Sequence, residues 1–232
     1  MKIRIIFYCF FFLISIDAIA EFRLENWKNH TSYLQATAVS VDSKSRIWAG
    51  STGGVFVYDS EANDYLKFNN LNGLLGIEVS AINCDKSSKE VFIGTADGIL
   101  TICSEDSEWE HFLDIQESKF PNAKINRFLK HNNSLYIAGG FGLAVFDLEK
   151  RVFKESILRI GDFDRLSNVN DIYIDNETIW VATSSGVGKA NINSTIANPG
   201  SWKTFSTQNG LNDNETIALT KFNNEIYVGT KK

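Results

Sequence analysis

Three histidines, two prolines and three cysteines are all that 232 residues offer of the types that most often mark a metal site, a kinked loop or a disulfide framework. His30, His111 and His131 stand far apart, with no Glu-x-x-His or His-x-x-x-His spacing, so a zinc centre is not expected and they read as solvated turn or edge residues. No Gly-x-Ser-x-Gly elbow, phosphate-cradling glycine loop or EF-hand series occurs. The acidic pairs Asp162/Asp164 and Asp213/Glu215 lie in polar loops without the further ligands that calcium requires. Basic charge is also scarce: the net charge is −5, which excludes the positive patch that nucleic acid or an anionic membrane demands. These absences leave an expectation of no cofactor, no metal and no catalytic set.

What is present is an apolar leader, and then a repeat. Lys2 and Arg4 precede an apolar run from Ile5 to Ile16, followed by Ala18-Ile19-Ala20 before Glu21. That order of charge, apolar stretch and small residues predicts a signal peptide over 1–20. A run of twelve residues is too short to span a ~30 Å hydrocarbon core as a helix. The chain is therefore expected to be secreted, in the periplasm or on the cell surface of a bacterium, and peripheral to the membrane at most.

From there one motif returns. Arg46-Ile47-Trp48-Ala49-Gly50-Ser51-Thr52-Gly53-Gly54-Val55 is echoed at Glu90–Ile99, Ser134–Leu143, Thr178–Val187 and Glu225–Thr230. The aromatic anchors are Trp48, Phe92, Tyr136, Trp180 and Tyr227, and a spacing near 44 residues marks a propeller or solenoid. Within each unit four short alternating segments are separated by turn residues, the content of one propeller blade. The fold class predicted is all-β: a β-propeller of four-stranded antiparallel blades, forming an incomplete ring of four full blades plus part of a fifth. The blades fall at about 36–68, 79–112, 125–155 and 169–205, with a partial one at 216–232, inside a partial propeller over 21–232. Trp27 to Ser32 echoes the fourth strands Trp109–Phe112 and Trp202–Phe205, and reads as an orphan outer strand at 27–32. A closed seven-bladed ring would need about 300 residues. The sequence is thus expected to be a fragment of a longer reading frame, with the remaining blades as one partner and an apolar face exposed at each end.

The anchors are expected to fill the gaps between blades. Gly50, Gly94 and Gly139, then Gly53, Gly98, Gly142 and Gly186, are expected to supply positive φ on the way into the third strand. The hydroxyls of Thr52, Thr95 and Thr183 are expected to satisfy local backbone donors. Cys84 and Cys103 end the first and third strands of one blade. Two strand spacings put their Cα atoms ~9–10 Å apart, beyond the ~7 Å reach of a disulfide, so both are expected to stay unbridged.

The pattern Ile-Trp-x-Gly/Ala-Thr-x-x-Gly-Val/Leu followed by Tyr/Phe-Asp resembles the two-component-regulator propeller repeats. Trp27–Tyr33, Asn72-Gly73-Leu74, Phe141–Leu148, Ile160-Gly161 and Asn198–Trp202 are similar to the N-terminal propeller of PorZ-type proteins of the type IX secretion system. That resemblance implies an extracytoplasmic interaction module of an envelope secretion apparatus, not an enzyme, with a protein or glycan partner in the envelope and no nucleic acid. The shared repeats equally imply an alternative, the ligand-sensing propeller of a hybrid two-component receptor. A propeller-based polysaccharide lyase or glycosidase would need convergent acidic or Tyr/His groups that the sequence does not supply. The loops joining second to third strands converge at one end of a propeller, so Thr52, Asp97, Phe141 and Ser185 are the ligand-binding candidates.

Overall fold

Alternating apolar residues separated by Asp, Asn and Gly turns fold here as five antiparallel sheets in sequence. The computed structural model describes residues 32–104 and 109–232. The leader over 1–20 and most of the expected strand at 27–32 lie outside the described residues.

The first sheet is β1 (Ala36–Val41), β2 (Ile47–Ser51), β3 (Gly54–Asp59) and β4 (Asp64–Phe68). The second is β5 (Val79–Asp85), β6 (Glu90–Thr95), β7 (Leu100–Ser104) and β8 (Trp109–Phe112). The third is β9 (Ile125–His131), β10 (Ser134–Gly139), β11 (Gly142–Asp147) and β12 (Val152–Ile157). The fourth is β13 (Val169–Asp175), β14 (Thr178–Thr183), β15 (Gly186–Asn191) and β16 (Trp202–Phe205), and the fifth has only β17 (Thr216–Phe222) and β18 (Glu225–Thr230). Strands pair in simple sequence order within every sheet. The third blade runs two residues past the expected 155, because Ile157 pairs with Leu143 and is fully buried. A four-residue helix, α1 (Asp114–Glu117), was not expected; it tucks Ile115 under the second blade.

The first strands β1, β5, β9, β13 and β17 pack on one another in turn, as the inner strands of a propeller do, and the described residues form no closed ring. The second, third and fourth blades each pack against two neighbours. Trp48 joins Val79, Ile82 and Val91 of the second blade, and Phe92 meets Phe128 of the third with ring centroids 6.3 Å apart. Tyr136 joins Val169 and Ile172 of the fourth, and Trp180 packs toward Leu219 of the fifth. The anchor thus always points forward along the chain. Tyr227 obeys the same register, pairing with Thr220 as Trp180 pairs with Tyr173, and there it is 48% exposed. On the backward face of the first blade Val39 is 66% and Tyr65 56% exposed.

Two expected glycine roles need correction. Gly50 and Gly94 lack positive φ; they are small because the next blade lies against them. A Cβ on Gly94 would meet Ile125 Cγ2 at 2.6 Å, and one on Gly50 would meet Val79 Cγ1 at 2.5 Å. Gly139 likewise has no positive φ, and lies under Phe141. In the first blade it is Gly54, at φ +124°, that carries the left-handed turn rather than Gly53. The hydroxyl position shifts too. Ser51 pairs with Gly54 as Thr183 pairs with Gly186, and Ser51 Oγ donates to the Gly54 carbonyl at 2.9 Å, so Ser51 and not Thr52 is the counterpart of Thr95 and Thr183.

Cys84 and Cys103 both lie across from Val91, on opposite sides of it, and no disulfide joins them.

Candidate functional site at the start of the first strands

In the second to fifth sheets the residue just before the first strand is tied to the loop after the second strand of the same sheet. Ala96 N donates to Glu78 O, Gly140 N to Lys124 O and Ser184 N to Asn168 O, each at 2.9 Å, and Lys231 N donates to Glu215 O at 3.0 Å. These bonds gather the second-to-third-strand loops and the beginnings of the inner strands at one end of the sheets.

At that end runs a row of side-chain hydrogen bonds that sequence reasoning missed. The second residue of each inner strand reaches forward to the carbonyl of the first residue of the next inner strand. Thr37 Oγ1 donates to Val79 O at 2.6 Å, Ser80 Oγ to Ile125 O at 2.6 Å, Asn126 Nδ2 to Val169 O at 2.8 Å and Asn170 Nδ2 to Thr216 O at 2.7 Å. A register shift between the first and third residues of β1, β5, β13 and β17 turns the second side chain toward the neighbouring blade. The signal was legible as a polar residue directly after the first residue of each inner strand. In the fifth blade the position is Ile217, which has no donor and is 49% exposed.

The row borders a recess of about 280 Å³ lined by Thr37, Thr52, Glu78, Ser80, Ala96 and Lys124. It adjoins a channel of about 350 Å³ between β1, β5 and β9. Hydroxyls, one exposed carboxylate and one exposed ammonium give this surface hydrogen-bonding groups of both signs. That suits a polar ligand such as peptide backbone or glycan.

The four loop candidates are not brought together. Thr52 is exposed and lines the recess. Asp97 is exposed, but Thr95 Oγ1 donates to its Oδ1 at 2.5 Å and Gln116 Nε2 to its Oδ2 at 2.7 Å. Ser185 shares a hydrogen bond of 3.2 Å with the Ser167 hydroxyl. Phe141 is 1% exposed and stacks on Phe120 at 5.6 Å, presenting no surface to a ligand.

The carboxylates and imidazole with displaced pKa values lie elsewhere and serve the fold. Burial pushes the Asp42 carboxyl up, but hydrogen bonds from Trp48 and Arg46 outweigh it and hold the group low. Burial acts likewise on Asp85, and is overcome by Lys130, Ser88 and Ser87. His111 sits on the edge strand β8, where burial lowers its pKa against an opposing backbone bond at Gly73. Among the described residues no cluster of three or more His, Cys, Asp or Glu could hold a metal ion, and no helix is long and apolar enough to cross a membrane.

The family model described as the PorZ N-terminal β-propeller domain of the type IX secretion system matches residues 47–203, more than half of the chain. The chain belongs to the PorZ N-terminal propeller family. Among solved structures, PorZ of Porphyromonas gingivalis superimposes with a TM-score of 0.69 at 21% identity, over 84% of this chain and 25% of that one. That protein is described as an essential bacterial surface component of the type-IX secretion system. Two extracellular domains of hybrid two component systems from B. thetaiotaomicron give TM-scores of 0.64 and 0.68, each at 16% identity and over 84% of this chain, covering 25% and 26% of theirs. At such identities the likeness concerns the fold, and the chain spans about a quarter of the length of these relatives. No curated protein matches the sequence.

Proposed function

We propose that the chain is an extracytoplasmic interaction module, a PorZ-like propeller piece serving a type IX secretion apparatus at the envelope. The observation that carries this reading is the family match across residues 47–203, which runs from β2 of the first blade into β16 of the fourth. The surface offered at the start of the inner strands agrees with it: a recess of hydroxyls with one charge of each sign, suited to holding a protein or glycan. The module acts by binding rather than by catalysis, and the leader read over residues 1–20 delivers it across the inner membrane.

Deleting the gene in a bacterium that carries it tests the proposal. Proteins bound for the surface by type IX secretion should accumulate in the periplasmic fraction, and re-expression of the chain should restore their delivery. Undisturbed delivery would overturn the secretion role. An altered transcriptional response to an external ligand, with delivery intact, would instead favour sensing.

A further inference from the structure

Glu78 stands in the second sheet where Glu215 stands in the fifth, immediately before the inner strand. In the fifth sheet the Lys231 amide donates to the Glu215 carbonyl at 3.0 Å, and Lys231 Nζ reaches both oxygens of the Glu215 carboxylate at 2.9 Å. The second sheet repeats only the backbone half of this arrangement, with Ala96 N donating to Glu78 O at 2.9 Å. Alanine has no ammonium to offer. The Glu78 carboxylate is therefore exposed and without an ion pair among the described residues, and Ala96 becomes part of the wall of the recess beside it.

The third sheet carries the opposite charge at the same position. Lys124 precedes β9, and the residue bonded to its carbonyl is Gly140, which has no side chain that could meet the Lys124 ammonium. Lys124 too is exposed and has no ion pair among the described residues. Glu78 and Lys124 thus line one recess of about 280 Å³ from adjacent sheets, which touch where Ser80 Oγ donates to Ile125 O at 2.6 Å, and no ion pair joins the two. The hydroxyls of Thr37 and Ser80, which also line it, have a fixed sense. Their protons go to Val79 O and Ile125 O, so toward the recess they present lone pairs.

A recess with one unpaired charge of each sign repels with the second charge whatever simple ion the first attracts. Its complement carries both charges. The volume is at the lower end of the range for small-ligand sites, roughly 300–1,000 Å³, so what it takes up is about two amino-acid residues in size. A dipeptide unit spans at most ~7 Å.

We propose that this recess captures a peptide N-terminus that carries a carboxylate within two residues of its α-ammonium: the ammonium lies against Glu78, with the Thr37 and Ser80 oxygens as further acceptors, and the carboxylate lies against Lys124. A free dipeptide supplies the carboxylate as its C-terminus, and a protein supplies it as an acidic second side chain. The inference rests on the interaction-module reading in taking this recess as the binding surface, and it names the chemistry that the surface selects.

The probe is alanyl-alanine, titrated into the isotope-labelled full chain and followed by the amide resonances of Thr52, Ser80 and Ala96. Those resonances should shift saturably. N-acetyl-alanyl-alanine, which lacks the ammonium, and alanyl-alanine amide, which lacks the carboxylate, should each bind at least about tenfold more weakly, as loss of one hydrogen bond between charged groups implies. Ala96→Lys, which places in the second blade the partner that Lys231 gives Glu215, should abolish binding and leave the melting temperature unchanged. Glu78→Gln should bring the free and acetylated dipeptides to equal affinity. Alanyl-aspartyl-alanine amide separates the two sources: binding tighter than that of alanyl-alanine assigns the site to the N-terminus of a protein, and weaker binding assigns it to a free dipeptide. No saturable shift, equal binding of either blocked dipeptide, or unimpaired binding by the Ala96→Lys chain would overturn the site. Such a failure, with surface delivery still dependent on the gene, leaves the proposed function standing, whereas binding as expected with delivery undisturbed overturns that function alone.

Discussion

The indole Nε1–H of Trp48 donates to Asp42 Oδ2 at 2.9 Å, a buried hydrogen bond between the anchor of the first blade and the turn that ends its inner strand. The same carboxylate accepts from Arg46 Nε at 2.7 Å and from two backbone amides, those of Lys44 and Arg46, at 2.9 Å. Asp42→Ala should cost about 3 kcal/mol, because it strands a buried indole donor and leaves Arg46 without this partner. Chemical denaturation should show the loss in the midpoint with little change in slope. A cost below about 1 kcal/mol would mean that the turn re-satisfies its donors from water.

Acid should act through the same group and through Asp85. Both carboxyls are held below their ordinary value in the fold. The unfolded chain, with aspartate near ~3.9, therefore binds more protons than the folded one in acid. The stabilisation is complete above that pH and is lost as pH falls through the lower folded-state values. Melting temperature should be flat from about pH 7 to 5 and then drop, and Asp42→Asn should make that drop shallower.

The forward-reaching row along the inner strands makes a second expectation. Asn126 bonds both Asn168 Oδ1 at 2.7 Å and Val169 O at 2.8 Å. Removing it with Asn126→Ala should cost roughly 1–2 kcal/mol. Thr37→Val, two interfaces away, should add to it within about 0.5 kcal/mol, as separate sites do. Strong non-additivity in a double-mutant cycle would show that the row acts as one unit.

The cysteines give a third. Cys103 is buried, and burial pushes its thiol up from the ordinary value, so it is a poor nucleophile in the folded protein. In the native protein a maleimide should label Cys84 faster than Cys103, and in denaturant both should react. A thiol pair that stays unreactive in denaturant would contradict the separation across Val91.

The two bare faces give a fourth. Phe222 and Tyr227 on one, and Val39 and Tyr65 on the other, are all exposed by about half or more. Patches of this kind favour association. Light scattering should show mass rising with concentration, and the double variant Val39→Lys with Phe222→Lys should suppress the rise. A wild type that stays monomeric throughout would show that something else covers these faces.

Nearly all of the blade plan was legible because one signal repeats. The spacing of Trp48, Phe92, Tyr136 and Trp180, with turn residues at fixed offsets, fixed both strand identity and order. What escaped depends on which way a side chain turns. Gly50 and Gly94 looked like turn glycines, yet their reason is the neighbouring blade's Val79 and Ile125, which lie 29 and 31 positions away along the chain. Phe141 looked like a loop tip, but the tight Gly139–Gly142 pairing folds its ring inward onto Phe120. Ser80 and Asn126 looked like ordinary polar strand residues, because a register shift that redirects a side chain leaves no mark in apolar periodicity. Periodicity therefore located the loops without saying which of their residues reach the recess.

Ile217 changes what the fifth blade can resist. At the four interfaces behind it, a short hydrogen bond at the inner rim fixes how far one sheet slides past the next, since a shift of an ångström breaks it. Apolar contacts are non-directional and tolerate the same shift. Under shear, then, the array behaves as latched plates with one unlatched surface in front, and whatever meets that surface is held against separation far better than against slip.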